Sequence, residues 1–145
     1  MSGIVGGAGS KSGIIGETEL DYEEGVFTLT HVGSTHGLGT QSCNYVRVGN
    51  LCSIYMDINF NADGKTSSAN FSGLPFTSKN IYGGGGAAWP NSVGFYGSTT
   101  YLQLRIDANS KQFSFYCTGD DQGVNNTITT NNGSSMNCQG QYIIA

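Results

Sequence analysis

The sequence predicts an all-β protein, an antiparallel β-sandwich of jelly-roll-like type with an extended N-terminal arm, and three observations lead there. The composition suits short strands and polar turns: the 145 residues include 23 Gly but only 2 Pro, 11% are charged, and Ser, Thr and Asn are abundant. Cys43 to Phe60 reads as a β-hairpin, with two β-branched and apolar runs flanking Gly49-Asn50, a pair suited to a two-residue turn with positive φ. No window of about eleven residues carries the three-and-four apolar spacing of a helix.

The hairpin can be read residue by residue. Cys52, Ile54, Met56, Ile58 and Phe60 fall on one face and Ser53, Tyr55, Asp57 and Asn59 on the other, as a half-buried strand requires. A two-residue turn sets Val48 opposite Leu51, Tyr45 opposite Ile54 and Cys43 opposite Met56, so Tyr45 and Cys43 join the apolar face. A lone hairpin is not stable, so other strands must cover this wall. The natural cover is a second hairpin within residues 93–118: Leu102, Leu104 and Ile106 alternate outward of the polar loop DANSKQ with Phe113, Phe115 and Cys117, and pairing Ile106 with Phe113 puts both triplets on one side.

The remaining elements follow in chain order. Residues 1–24 are expected to be an attachment arm and residues 25–145 the sandwich domain. Residues 1–16 hold six glycines and two apolar pairs, Ile4-Val5 and Ile14-Ile15. Such a segment has no core of its own. Isoleucine and valine are unusual in a plain linker, so the pairs are expected to dock on a neighbouring subunit. Lys11-Ser12 ends like a phosphate-binding loop, but Val5 and Ser10 stand where its glycines belong, and nucleotide binding is rejected. Residues 17–24 carry five of the ten carboxylates without the spacing of a cation loop, which suits a solvated boundary or a salt-bridged contact with a basic partner. Gly25 then opens the strand VFTLTH. His31 and His36 lack a third ligand nearby, so a zinc site is not expected.

After the first hairpin, Asp63-Gly64 centres a turn. The calcium-loop pattern begun at Asn59, Asn61 and Asp63 fails at Asn70, where a glutamate is needed. Residues 68–77 give a short strand and a Gly-Leu-Pro bend with Leu74 and Phe76 inward. Four consecutive glycines in IYGGGGAAWPNS argue for a long loop anchored by Ile81, Tyr82 and Trp89, and Tyr82 and Trp89 form a candidate surface contact loop. Gly119 to Ser135 is Asn-rich and polar, a wide loop or a weak edge strand. The final run NCQGQYII returns to pair inside the sheet, since an ordered terminus must be tied down.

Charge and cysteine usage bound the function. The net charge of −4 and the lack of a basic run exclude a phosphate-tracking nucleic-acid surface, and no apolar run is long enough to span a bilayer. A signal peptide's basic region and apolar core are missing from the first residues, so export by that route is not expected. Cys43, Cys52, Cys117 and Cys138 are therefore expected to be buried thiols, with a Cys117–Cys138 bridge as the alternative. No catalytic triad, metal cluster or facing carboxylate pair is legible, so neither an enzyme nor a cofactor is expected.

Four pieces recur in a known order: Asp21-Tyr22-Glu23-Glu24-Gly25 before Val26-Phe27-Thr28, then Tyr45 to Gly49-Asn50, then Gly73-Leu74-Pro75-Phe76, then Gly140 to Ile143. Together they span residues 21–143. In that order the chain resembles a family of small tailed-bacteriophage virion proteins and tail-fibre tips, departing only at Leu29-Thr30, where the family pattern has Thr-Pro. The resemblance implies an antiparallel β-sandwich, commonly a homotrimer, displayed on the virion surface and assembled in the host cytoplasm. Because the short arm starts at Met1, with no shaft before it, the expected role is a trimeric capsid decoration (cement) protein that grips the major capsid protein or another virion protein through Ile4, Val5, Ile14 and Ile15. The alternative is a receptor- or carbohydrate-binding module of a tail or head fibre, with Tyr82 and Trp89 at the contact.

Overall fold

The computed structural model describes residues 21–33, 37–61, 66–80, 84–95, 101–119, 122–125 and 127–145. Eleven strands run through them: β1 (Tyr22–Val26), β2 (Thr30–His31), β3 (Leu38–Val48), β4 (Leu51–Phe60), β5 (Thr66–Ser68), β6 (Asn70–Ser72), β7 (Gly84–Phe95), β8 (Tyr101–Ile106), β9 (Gln112–Gly119), β10 (Gln122–Asn125) and β11 (Thr127–Ile143). No helix occurs among the described residues.

Both hairpins form in the expected register. Val48 pairs with Leu51, Tyr45 with Ile54 and Cys43 with Met56 across β3 and β4, and Ile106 pairs with Phe113 across β8 and β9. Only Gly49 takes a positive φ in the first turn, at 57°, while Asn50 stays in the ordinary range; this is the pattern of a type II′ turn, which needs one left-handed residue and not two. The five alternating residues of β4, Cys52 to Phe60, are all buried.

All strands belong to one antiparallel sheet, in the order β1-β3-β4-β11-β7-β8-β9-β6-β2, with β10 beside β9 and β5 beside β11. A single curled sheet, a half-barrel, thus stands where the sequence suggested two separate layers. Its curvature can be judged from Phe60 on β4 and Phe71 on β6, whose ring centroids are 6.2 Å apart although five strand steps separate them in the order. On a flat sheet, five steps of about 4.8 Å would hold them about 24 Å apart. The inward face therefore closes on itself, and Phe71, Phe113 and Phe115 meet Ile54, Ile58 and Phe60 in one apolar core.

The two ends of the strand order are consecutive in the chain. The expected single strand VFTLTH is broken: β1 ends at Val26, and residues 27–29 cross from one edge of the sheet to the other, where β2 begins. Phe27 N still donates to Cys43 O at 3.1 Å. At Leu29 the Gln41 side chain replaces a neighbouring strand, its Oε1 accepting from Leu29 N at 2.8 Å and its Nε2 donating to Leu29 O at 3.1 Å. A primary amide presents one acceptor and one donor side by side, matching the two backbone groups of one residue. Phe27 and Leu29 nonetheless point inward, as their alternation indicated.

One further expectation fails and another holds in part. The Gly-rich segment is strand β7, central in the sheet between β11 and β8, and not a loop. A Cβ on Gly86 would lie 1.8 Å from the Gln139 carbonyl oxygen, so glycine is what lets β7 approach β11. The Asn-rich run is not a wide loop: it supplies β10, which among the described residues pairs with β9 alone, as an edge strand does, and the first part of β11, which pairs with β5 and β7 before the strand reaches β4 at Ser135. The final run does pair inside the sheet, Cys138 with Met56 and Tyr142 with Cys52.

One end of the half-barrel is stoppered by the Gly73–Phe76 bend. The Tyr142 hydroxyl donates to Phe76 O at 3.1 Å and accepts from Phe76 N at 3.3 Å. Phe76 packs edge-on to Tyr45 and lies under the Arg47 guanidinium, 5.3 Å from its ring centroid in each case. Arg47 in turn pairs with Asp21 and, at 3.5 Å, with Glu23, so two carboxylates of the acidic run are held within the chain itself. β1 starts at Tyr22, which places Tyr22 to Glu24 in the sheet.

Candidate functional site

The described inward positions are occupied by buried apolar side chains, which leaves the outward face for contact chemistry. Register alone assigns its occupants. On β7, β11, β4 and β3 one lateral row reads Trp89, Asn137, Asp57, Ser42, and the next reads Ala87, Gln139, Tyr55, Asn44. Beyond Ala87 the second row continues through Gln103 on β8 to Tyr116 on β9. A third runs Gly85, Gln141, Ser53, Val46, with Arg105 on the far side of Gly85.

The small side chains of β7 sink the middle of this face. Over Ala87 and Ala88, between Trp89, Tyr55 and Asp57, lies a depression of about 460 Å³. A second of about 300 Å³ spans Gly85 to Ala87 beside Gln139 and Gln141, and a third of about 430 Å³ covers Gly84 to Gly86 beside Gln103, Arg105 and Tyr116. Neighbouring depressions share lining residues, so together they form one trench that crosses the strands from β4 to β9.

Its walls combine two kinds of group. Trp89 is 76% and Tyr55 51% exposed, leaving apolar ring faces open to solvent. Between them stand the amides of Asn44, Asn137 and Gln139, each able to donate and accept. Charge is sparse: Asp57 lies near one end, and at the other the Arg105 guanidinium stacks 4.3 Å over the Tyr116 ring and reaches Asp107 at 3.4 Å. The four cysteines are buried thiols, and Cys138 borders the first depression from beneath. Burial, with a smaller effect from the Asp57 charge, pushes the Cys43 thiol up to about 11, and burial drives Cys138 higher still. These groups are unsuited to nucleophilic work at neutral pH. Among the described residues, no group of three or more His, Cys, Asp or Glu side chains is placed to hold a metal ion. His31 packs on Phe71, with ring centroids 4.9 Å apart, and His36 lies outside the described residues.

Of the residues expected to make contacts, Trp89 is exposed as required, but on a strand and not a loop. Tyr82, Ile4, Val5, Ile14 and Ile15 lie outside the described residues. Sequence reasoning missed the companions of Trp89. Tyr55, Asn137, Gln139 and Tyr116 come from strands far apart in sequence, and the one local sign was that each occupies a polar-side position in its alternation.

No protein-family model and no curated protein matches the sequence. Among solved structures, the crystal structure of the Dettilon tailspike protein (gp208) is similar in fold, with a TM-score of 0.63 and 13% sequence identity. The match covers 86% of this chain and 24% of that chain.

Proposed function

We propose that this chain is a bacteriophage virion surface protein whose outward sheet face binds carbohydrate of the host cell surface without turning it over. The fold likeness to part of a tailspike supports the virion assignment. The observation that carries the contact assignment is the trench itself, open aromatic faces set among uncharged amides over a floor of glycine and alanine. Sugar rings offer C–H faces to aromatic planes and hydroxyls to amides, and a largely neutral trench suits neutral sugars. Trp89 is the single tryptophan, so its emission reports on occupancy directly. Titrating a panel of bacterial-surface oligosaccharides should shift that emission with a saturable curve that Tyr55→Ala abolishes. If no oligosaccharide in the panel shifts it and none binds by calorimetry, the assignment is wrong.

Capsid decoration is the second reading, with a homotrimer gripping the major capsid protein through Ile4, Val5, Ile14 and Ile15. It is favoured by the ion pair of Arg47 with Asp21, which fixes the point from which residues 1–20 depart. Removing residues 2–16 separates the two: a decoration protein would lose its hold on particles, whereas a receptor binder would still attach to cells.

A further inference from the structure

A second outward feature lies away from the trench, at the turn end of the β3–β4 hairpin. Tyr22 on β1 pairs with Val48 on β3, Val48 with Leu51 on β4, and Leu51 with Ile143 on β11, so four apolar side chains form one row across four adjacent strands. Tyr22 is 55%, Val48 41% and Leu51 39% exposed. Apolar residues scattered singly over a surface need no explanation, but a contiguous row is a mark of contact. On this sheet it also borders the edge of β1 that no strand among the described residues pairs, whose backbone groups can accept a further strand.

The chain outside the described residues suggests what covers the row. Residues 1–20 join the body at Asp21, which is tied to the same hairpin tip: Gly49 N donates to Asp21 O at 2.7 Å, and Arg47 pairs with the Asp21 carboxylate. Five residues before Leu20 lies Ile15, in the sequence Gly13-Ile14-Ile15-Gly16, a compact apolar pair flanked by glycines. At about 3.3 Å per residue, Ile15 can reach about 20 Å from Asp21. Docking on its own row would need the chain to reverse within Glu17-Thr18-Glu19-Leu20, which contains no Gly, Pro, Asn, Asp or Ser to make a turn.

We infer that Gly13–Gly16 of one copy docks on the Tyr22–Val48–Leu51–Ile143 row of a second copy, linking copies of this chain arm to body. The contact does not depend on what the trench binds. The test uses full-length protein grown as a mixture of normal and nitrogen-15-labelled copies, with a photoreactive phenylalanine in place of Ile15. After irradiation, mass spectrometry should find mixed-isotope peptides joining position 15 to residues 46–53. Leu51→Glu should remove those cross-links and lower the mass of the assembly by light scattering, while Trp89→Ala leaves both unchanged. Cross-links confined to single-isotope pairs, cross-links to another part of the body, or a monomer that forms none would each overturn the inference.

Discussion

Replacing Gly86 with alanine sets two effects of opposite sign against each other. In an ordinary strand the change should help, because glycine loses more freedom on folding and alanine gains about 0.5–1 kcal/mol. Here the new Cβ would stand 1.8 Å from the Gln139 carbonyl oxygen and 2.6 Å from Gly140 Cα, both backbone atoms of the neighbouring strand. β7 and β11 would have to part by well over an ångström. Overpacking of this kind costs about 1–3 kcal/mol, and each ladder hydrogen bond weakened adds about 1 kcal/mol. The net expectation is a loss of about 2–4 kcal/mol. At roughly 2–4 °C per kcal/mol for a domain near this size, the melting temperature should fall by about 5–15 °C. Gly85→Ala is the control: its Cβ meets only the Leu104 carbonyl oxygen, at 3.1 Å, and its stability should stay within about 1 kcal/mol of the parent. Urea unfolding followed by far-ultraviolet circular dichroism measures both. A Gly86→Ala protein as stable as the parent would refute the close approach of β7 to β11, and with it the place of the glycine run in the sheet.

Other expectations follow from the same packing. Phe71→Ala should lose about 3–5 kcal/mol in urea unfolding, since the ring is fully buried with its centroid 5.3 Å from that of Phe113 and 5.5 Å from that of Phe115. Tyr142→Phe should lose about 1–3 kcal/mol, because it leaves the Phe76 N–H and C=O without the hydroxyl that serves both. The Cys43 thiol is raised from 9.0 to about 11 by folding, so the unfolded chain ionises first. Stability from this group is intact below pH 9 and should be lost as pH rises towards 11, which chemical unfolding at stepped alkaline pH would show; Cys43→Ser should lessen the loss but not remove it, since burial raises Cys138 and Tyr142 as well. Trp89→Ala should leave unfolding within about 0.5 kcal/mol of the parent while abolishing oligosaccharide binding, because a side chain 76% exposed contributes little to the core.

The parts of the fold legible in the sequence are those that neighbouring residues decide. Gly49-Asn50 fixes the β3–β4 register through turn geometry, and the unbroken alternation from Cys52 to Phe60 then assigns every face. β11 offered no such pattern. Its inward positions are Ser134, Met136, Cys138, Gly140 and Tyr142, too mixed in size and polarity to read as an apolar stripe, although all five are buried. β7 was hidden for a related reason: where strands approach closely, the residues that permit the contact are those without a side chain to signal it. Whether one curled sheet or two stacked ones would form was also beyond local reading, because inward-outward alternation is the same in both. The trench inherits this difficulty, since only the pairings of β4, β11, β7, β8 and β9 bring its aromatic and amide groups together.

The central position of β11 also governs how the molecule must be made. Residues 135–143 join β4, formed some eighty residues earlier, to β7, so the sheet stays in two pieces until this stretch has emerged from the ribosome. Until then the nascent chain carries two hairpins with uncovered apolar faces, a state prone to aggregation. Closure of the sheet thus waits on contacts distant in sequence, which slows folding, and a chain cut before residue 135 would lack the strand that joins its two halves.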